Sequence, residues 1–353
     1  MAVITGSSSG IGRAVARLCE LTTLPSPDPP PNPRAPPHTA PPLPPGAAQG
    51  MHVYLADIDE AMLPEAQEEI AALATPHGGS ATAVVTDVSD PESCEALRAT
   101  VLGSHRTCHL LHCNAGMEVP GGVDEPLDSW HKTLGVNLLG VIQAAKAFLP
   151  AMESAAEPGI IICTGSKQGI TMPPGNLAYN VSKAGVKAFA EGLQHYLRST
   201  PSASHLTAHL CVPGFVNSMI RVKSDREAAA TAAYDEAVAA GGSEAVGAAA
   251  AGKARAEFDI EAGERAPDEK PDGAWTPDQT AEFMVERVTA GDFYVICPDN
   301  EVDRATDNLR MTWTMQDITE NRPPLSRWHD DWSPRFDEFL AAALATADAD
   351  ARL

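Results

Sequence analysis

The stretch Ala2-Val3-Ile4-Thr5-Gly6-Ser7-Ser8-Ser9-Gly10-Ile11-Gly12 leads from a short β-branched run, through glycines, into a segment with helical spacing. Ile11, Val15 and Leu18 recur on one helical face, so we predict a strand, a tight turn and a helix over 11–20. Glycines at such a turn allow a pyrophosphate to approach the helix N-terminus closely. The spacing is G-x-x-x-G-x-G, and by itself it is a weak signal because strand–helix turns in general favour glycine.

From residue 52 onward, short apolar runs alternate with longer segments of helical spacing. The predicted strands cover 52–56, 83–86, 109–113, 159–163, 205–212 and 293–297. The predicted helices cover 58–74, a segment opening at Asp90-Pro91-Glu92, 130–152, 178–197 and 276–287. Such alternation is typical of a parallel sheet covered on both faces. We therefore predict an α/β fold with a doubly wound parallel sheet of the Rossmann type.

Composition excludes several classes of protein. The hydrophobic content of 44% in 353 residues is enough for a core, which excludes global disorder. A net charge of −22 works against binding a phosphate backbone, so we expect no nucleic-acid partner. No uninterrupted apolar run approaches the roughly 18 residues of a membrane span, so we expect no membrane segment. The 7 cysteines are scattered and odd in number, which favours reduced thiols. Since no presequence precedes the first predicted strand, we expect a cytoplasmic protein or a misassigned start of the reading frame.

Proline is concentrated in one segment, with 12 of the 30 prolines between Pro25 and Pro45. The segment should be extended and solvated. It is either a docking site for a proline-recognising domain or an inserted loop, including translated intron sequence, and we favour the insertion. Excising about 21–46 would join the flanking parts of one helix. We therefore predict one domain over 1–299, interrupted by this insertion, with 300–353 as an extension packed on the same domain.

Two aspartates follow predicted strands. Asp57 ends the second strand, where a carboxylate can accept both ribose hydroxyls and repel a 2′-phosphate. It lies 45 residues after Gly12, against the usual ~20, and excision of the proline-rich segment restores the spacing. The alternative for Asp57 is a cap for the helix that follows. Asp87, next to Val88, contacts an adenine or is a local turn aspartate.

Tyr179 and Lys183 are four residues apart, which places them on one helix face. A phenol with a pKa near 10 needs a drop of ~3 units to act as a base, roughly 4 kcal/mol, which a nearby ammonium and a nicotinamide cation can supply. An ordinary amphipathic helix with a surface lysine is the alternative. Further polar or glycine motifs follow strands at 114–116, 166 and 213–216, and Asn137 lies in a predicted helix. The carboxyl ends of parallel strands are where open α/β sheets bind ligands.

Taken together, these motifs resemble the short-chain dehydrogenase/reductase family over 1–20 and about 47–299. The resemblance implies an NAD(P)-dependent oxidoreductase acting on a secondary alcohol or ketone, commonly as a homodimer or homotetramer. Its implied catalytic residues are Tyr179 as acid/base, Lys183 on the nicotinamide ribose, Ser166 on the substrate oxygen and Asn137 in a proton relay. Its implied cofactor-binding residues are Thr5, Gly6, Ser8, Ser9, Gly10, Ile11, Gly12, Asp57, Asp87, Val88, Asn114, Ala115, Gly116, Lys183, Pro213, Gly214, Val216 and Ser218.

Some positions depart from the family pattern or leave alternatives open. Serine stands at 218 where the family usually has threonine, and Ser9 stands where NADP-preferring members often carry Arg or Lys. With Asp57, this favours NAD, with NADP possible. A catalytically silent nucleotide-binding sensor or scaffold is the alternative function.

Three other segments allow more than one interpretation. The soft side chains at 105–113 suggest zinc, but His109 and His112 would face opposite sides of a strand, so we predict no metal site. The segment 219–275 is expected to cover the substrate as a lid; its Ala-rich part, 228–256, is helical or mobile. The run 321–328 closes the pocket, contacts a partner subunit or belongs to a tail pinned to the surface by aromatic residues.

Overall fold

The computed structural model describes residues 1–21, 50–119, 121–264 and 273–350. Within these ranges, seven strands form one sheet in the order β3-β2-β1-β4-β5-β6-β7. The strands are β1 Ala2–Thr5, β2 His52–Asp57, β3 Ser80–Val85, β4 Leu110–Cys113, β5 Gly159–Thr164, β6 Leu206–Val212 and β7 Tyr294–Ile296. All of their pairings are parallel. The predicted α/β doubly wound fold is confirmed.

Helices connect successive strands and cover the sheet. Those that precede β5 are α1 Gly10–Leu21, α2 Leu63–Ala74, α3 Pro91–Ser104, α4 Leu127–Leu134 and α5 Gly140–Ala155. Those that follow it are α6 Gln168–Thr171, α7 Leu177–Ser199, α8 Met219–Ala239, α9 Glu244–Glu264, α10 Pro277–Thr289, α11 Arg304–Thr319 and α12 Ser333–Asp350. The predicted cap before α3 is confirmed, because the Asp90 carboxylate accepts from the Glu92 amide with Pro91 in the first turn.

The two faces of the sheet bury separate apolar cores. On one face, Ile4 of β1 packs in a cluster with Val15 of α1 and Met284 of α10. On the other face, Val3 of the same strand packs in a cluster that includes Phe148 of α5. Neighbouring residues of a strand point to opposite sides, so the continuous apolar strands supply both cores.

The sheet order reverses beside β1. Ala2 pairs with Val53 of β2 on one side and with Leu110 of β4 on the other. The connections from β1 and from β4 therefore diverge at their carboxyl ends and leave a crevice, the usual ligand site of such sheets.

Two predicted helices differ from the structure. The helix predicted from 58 begins at Leu63. Asp57 Oδ1 accepts from the Asp59 amide at 3.0 Å, and Asp59 Oδ1 accepts from the Met62 amide at 3.3 Å. These two hydrogen bonds hold the residues between β2 and α2 in a turn. The helix predicted over 130–152 is interrupted at Gly135–Leu139 by a π-helical turn, a feature frequent at functional sites.

Among the described residues, one helical stretch, Leu127–Ala155, meets the length and composition criteria for a membrane span. An 18-residue window within it has a mean hydropathy of 1.4, which an inspection for uninterrupted apolar runs does not detect. Phe148 and Met152 of this stretch are fully buried in the core, as in a helix that packs on a sheet.

The Ala-rich segment belongs to helices α8 and α9, which are joined by a turn at 240–243. Helices α8 and α9 approach each other so closely that a Cβ at Gly247 would meet the Tyr234 ring at 2.7 Å. The remaining part of the expected lid, 265–272, and the proline-rich segment after Leu21 lie outside the described residues.

The C-terminal helices are tied together around a buried tryptophan. Trp313 of α11 contacts the ring of Phe336 of α12 with centroids 5.5 Å apart. The Arg322 guanidinium lies 4.0 Å from the Trp313 ring, and Trp313 Nε1 donates to Ser326 Oγ at 2.8 Å. In the part of the chain that the structure describes, these contacts favour the interpretation of 321–328 as part of a tail held by aromatic residues.

Candidate active site

A cavity of about 1310 Å³ opens at the carboxyl ends of the strands. The predicted site residues that line it are Gly6, Ser9, Gly10, Ile11, Asp57, Asp87, Val88, Asn114, Ala115, Gly116, Ser166, Tyr179, Lys183, Pro213, Gly214, Val216 and Ser218. Four predicted site residues do not line it, namely Thr5, Ser8, Gly12 and Asn137. Residues brought from seven separate stretches of chain therefore meet in one space, and four others support it from behind.

The glycine turn between β1 and α1 is shaped to take a phosphate. Gly6 and Gly10 have φ angles of 65° and 57°, in the left-handed region that favours glycine. A Cβ on Gly12, in the first turn of α1, would collide with the Gly6 carbonyl, so only glycine fits at this position. The first amides of α1 have no partner within the helix, and Ile11 lines the cavity, so donors and dipole favour an anion at this point.

Asp57 both closes this turn and faces the cavity. Its Oδ2 accepts from the Ser8 amide at 2.9 Å and from Ser8 Oγ at 2.8 Å. It is not the cap of α2, because Met62 holds that position. The helix-cap alternative for Asp57 is therefore wrong, and Ser8 acts by holding Asp57.

Asp87 has the contacts expected of a turn aspartate while it also lines the cavity. Its Oδ1 accepts from the Ser89 amide at 2.8 Å and from Ser89 Oγ at 2.6 Å. The two interpretations of Asp87 are therefore compatible in one geometry.

Thr5 locks the ends of β1 and β4 together. Its Oγ1 accepts from the Asn114 amide at 2.9 Å and from the Ala115 amide at 3.0 Å. In the opposite direction, Asn114 Nδ2 donates to the carbonyls of Thr5 and Gly6, each at 3.1 Å. The glycine turn is thus held from the β4 side.

Tyr179 and Lys183 are buried on one face of α7. Asn176 caps this helix and accepts from the Tyr179 amide at 3.1 Å. Tyr179 is 8% exposed and Lys183 is 3% exposed. The Lys183 Nζ lies 5.7 Å from the centroid of the Tyr179 ring. The surface-lysine alternative is therefore excluded by burial.

Burial lowers the pKa of Lys183 to about 8. Its Nζ donates to the Thr164 carbonyl at 3.0 Å, which orients the ammonium at the end of β5. A lysine with this pKa is mostly charged at neutral pH, and its charge favours the ionised form of a neighbouring phenol.

Ser166 follows β5 and faces the same cavity as Tyr179. Its Oγ accepts from the Gln168 amide at 3.2 Å, which leaves its hydroxyl hydrogen available to an oxygen in the cavity. A hydroxyl donor, a phenol and an ammonium thus line one cavity.

Asn137 lies behind the cavity wall, in the π-helical turn. It is fully buried; its Oδ1 accepts from the Met117 amide at 2.8 Å and its Nδ2 donates to the Met117 carbonyl at 2.9 Å. Nδ2 also donates to Ser182 Oγ at 3.2 Å. Asn137 therefore holds the loop after β4 against α7, and its place in a proton relay stays a prediction.

Sequence reasoning missed a cluster of charges around Lys167, which lines the cavity next to Ser166. The Lys167 Nζ lies 3.1 Å from Asp299 Oδ2 and 2.6 Å from Asp307 Oδ2 of α11. Asp299 Oδ2 also accepts from the Phe215 amide at 3.2 Å. The sequence near the site shows only that Lys167 follows Ser166. Its partners Asp299 and Asp307 lie 132 and 140 residues further along the chain, so no local pattern connects them with it.

Carboxylates in this cluster respond differently to their surroundings. For Asp299, burial raises the pKa, but bonds from the Phe215 amide and Lys167 outweigh it and hold the pKa below its usual value. For Asp307, burial prevails over Lys167 and raises the pKa. The C-terminal extension thus contributes a desolvated carboxyl group to the frame of the site.

Within the described ranges, no three His, Cys, Asp or Glu side chains are grouped closely enough to hold a metal ion. His109 Nε2 lies 2.8 Å from Glu157 Oε2, and His112 Nε2 lies 2.9 Å from Thr164 Oγ1. These two histidines have separate partners, as expected for neighbours at odd spacing on a strand.

Several known proteins resemble this chain in sequence. The 1-deoxy-11-beta-hydroxypentalenate dehydrogenase of Streptomyces avermitilis is 31% identical over 204 residues, which cover 57% of this chain and 64% of that protein. The cis-4-hydroxycyclohexanecarboxylate dehydrogenase of Sinomonas cyclohexanicum is 27% identical over 220 residues, which cover 62% of this chain and 74% of that protein. The chain thus spans just under two thirds of the length of the first of these relatives.

Solved structures share the fold. A short chain dehydrogenase/reductase from Burkholderia phymatum, in complex with NAD, superimposes with a TM-score of 0.64 at 24% identity, covering 92% of this chain and 95% of that one. Residues 46–229, more than half of the chain, match the short chain dehydrogenase family. The match begins directly after the proline-rich segment, while β1 and α1 precede it. The chain belongs to the short chain dehydrogenase family, whose members are oxidoreductases that bind NAD or NADP on a Rossmann-type sheet.

Proposed function

We propose that this protein transfers a hydride between a secondary alcohol or ketone and a nicotinamide cofactor, with Tyr179 as the acid/base. One observation carries the proposal: Tyr179 and Lys183 are buried side by side on α7, on the wall of the cavity that the glycine turn also lines. An ordinary amphipathic helix would leave the lysine in solvent, so the burial supports a chemical role.

The residues present fit a dinucleotide. The turn requires glycine at Gly6 and Gly10, which have positive φ angles, and the first amides of α1 supply donors for phosphate oxygens. Asp57 is placed to accept hydrogen bonds from a ribose, and its charge disfavours a 2′-phosphate. We therefore propose NAD in preference to NADP.

The reaction requires a proton to leave the substrate hydroxyl. Tyr179 Oη would take that proton in the oxidising direction and return it in the reducing direction. Lys183, held by the Thr164 carbonyl, would stabilise the phenolate, and Ser166 Oγ would donate a hydrogen bond to the substrate oxygen. The nicotinamide, when bound, supplies the hydride acceptor or donor.

An apolar wall supports a hydrophobic substrate. The apolar residues that line the cavity include Met117, Val119, Phe215, Met219 and Ile220. Contacts of this kind hold a substrate through its carbon skeleton and discriminate only weakly between close homologues. The two relatives are named as dehydrogenases of a hydroxypentalenate and a hydroxycyclohexanecarboxylate, so we propose cyclic secondary alcohols as the first compounds to assay.

The test is Tyr179→Phe, assayed by NADH formation from cyclohexanol and cyclopentanol derivatives. Loss of the acid/base should reduce kcat by roughly 10²–10⁴-fold, while the Kd for NADH, measured by fluorescence titration, stays near that of the unmodified protein.

The matched control is Tyr196→Phe, on the same helix but 43% exposed and not among the cavity-lining residues. It should leave kcat unchanged. Turnover by Tyr179→Phe at close to the unmodified rate would show that another group moves the proton.

A further inference from the structure

A buried histidine stands directly behind the cavity wall. His112 of β4 is fully buried and does not line the cavity, whereas its partner Thr164 does. Its Nε2 lies 2.9 Å from Thr164 Oγ1, and its Nδ1 has no hydrogen-bond partner among the described residues. A buried imidazole with one unsatisfied nitrogen is costly, which indicates a role beyond filling space.

The hydrogen bonds around Thr164 determine which atom donates. Asn114 Nδ2 is occupied with the carbonyls of Thr5 and Gly6, so Asn114 Oδ1 faces Thr164 and accepts its hydroxyl hydrogen at 3.3 Å. A threonine hydroxyl has one hydrogen to give. His112 must therefore carry its proton on Nε2 and donate to Thr164 Oγ1.

The imidazole keeps this form across the physiological range. Burial lowers the pKa of His112 to about 3, so the ring is neutral with one N–H. A neutral ring protonated on Nε2 leaves Nδ1 as a bare acceptor, which agrees with its lack of a partner.

Thr164 connects this chain of bonds to both halves of the site. Its hydroxyl orients Asn114, which clamps the glycine turn at Gly6, and its carbonyl accepts from Lys183 Nζ at 3.0 Å. Rotation of the Thr164 hydroxyl would release Asn114 Oδ1, and the His112 donor prevents that rotation.

We propose that His112 is a positioning residue for nucleotide binding, which acts through the Thr164 hydroxyl on the Asn114 amide and thereby on the glycine turn. This inference rests on the proposed use of the cavity for a nicotinamide nucleotide. A pair of apolar side chains would fill the same volume without orienting Asn114.

The experiment compares His112→Leu with His112→Gln, because a glutamine Nε2 can place a donor where the imidazole Nε2 lies. For His112→Leu we expect the Kd for NADH and the KM for NAD to rise roughly tenfold, the equivalent of about 1.4 kcal/mol. We expect kcat at saturating NAD to change less than about threefold. His112→Gln should restore most of the affinity.

Two further variants separate positioning from stability. His209→Leu removes another buried histidine, on β6, whose Nδ1 lies 2.8 Å from the Asp292 carbonyl and whose Nε2 lies 3.0 Å from Thr207 Oγ1. It should lower the Tm without changing the Kd for NADH. Thr164→Val should weaken NADH binding as His112→Leu does, and the double variant should be no weaker than Thr164→Val alone.

An unchanged Kd for NADH in a folded His112→Leu variant would overturn the inference, as would additive effects in the double variant or a His112→Gln variant no better than His112→Leu. NADH binding is measured without an alcohol. Failure of the proposed reaction therefore appears as absent turnover in the unmodified protein, and failure of the positioning role as unchanged nucleotide affinity.

Discussion

At the scale of single residues, Asp57 combines two tasks. Its Oδ2 accepts two bonds from Ser8, which shape the glycine turn, while the residue also lines the cavity at the end of β2. A carboxylate held in this way is fixed in position beside the cavity. Electrostatics at one residue can therefore decide between the two cofactors.

Asp57→Asn tests this preference, because the amide keeps an acceptor for Ser8 and loses the charge. We expect the ratio of kcat/KM for NAD to that for NADP to fall by about tenfold or more, since like charges placed together cost several kcal/mol. Steady-state kinetics with both cofactors measure the ratio.

The matched control is Asp87→Asn, whose carboxylate is also held by a neighbouring serine. It should alter the ratio far less. An Asp57→Asn variant with an unchanged ratio would place the source of cofactor preference elsewhere.

At the scale of elements, helix α11 is joined to the active-site loops. Lys167, which follows Ser166, pairs with Asp307 of α11 and with Asp299, and Asp299 also accepts from Phe215 in the loop after β6. Three connections, after β5, after β6 and after β7, thus share one ion cluster, in which the two carboxylates are largely buried and Lys167 is partly buried. Removal of one partner from a buried pair usually costs more than the pair contributes.

Asp307→Asn should therefore lower stability by about 1–3 kcal/mol and reduce kcat/KM, because Lys167 loses a partner and the loop that carries Ser166 is less restrained. Thermal unfolding and steady-state kinetics measure the two effects.

Asp303→Ala provides the comparison within the same helix, since the Asp303 carboxylate caps α11 by accepting from the Thr306 amide at 2.8 Å. It should cost about 1 kcal/mol of stability and leave kcat/KM unchanged. Equal kinetic effects of the two variants would mean that α11 supports the site only through overall stability.

At the scale of the whole molecule, the proline-rich segment separates β1 and α1 from the rest of the domain. Helix α1 ends at Leu21 and β2 begins at His52, and these ends lie at the same edge of a parallel sheet. Connections of this type need only 2–6 residues. The fold therefore does not require a long connection between α1 and β2.

Deletion of residues 22–46 should leave a connection of five residues, 47–51, and preserve the fold and NADH affinity. If only chain entropy is involved, shortening the connection from 30 to 5 residues stabilises the protein by about 1.6 kcal/mol. Circular dichroism, thermal unfolding and NADH titration measure these outcomes.

A variant with a Gly/Ser segment of equal length replacing 22–46 should match the unmodified protein. If both variants lost NADH binding, the proline-rich sequence would have a specific role, and its interpretation as an insertion would be wrong.

Local patterns were sufficient to predict the class of the sheet and the glycine turn. They were also sufficient to select Asp57, Tyr179 and Lys183 as candidate site residues. Helical and strand periodicities, a capping Asp90 and an i, i+4 spacing are properties of short segments, so they can be recognised without a partner. No local pattern in the sequence indicates the π-helical turn at Asn137, so the sequence predicts a continuous helix across it.

By itself, the sequence determined the alternation of strands and helices, and with it the edge of the sheet at which Tyr179, Lys183 and Ser166 would meet. Only the tertiary structure decided that His112, Thr164 and Asn114 form one chain of hydrogen bonds, and that Asp307 reaches Lys167 from the C-terminal extension. The reason is physical: these partners lie between 50 and 140 residues apart, and their contact depends on strand order, register and burial, which no local periodicity encodes.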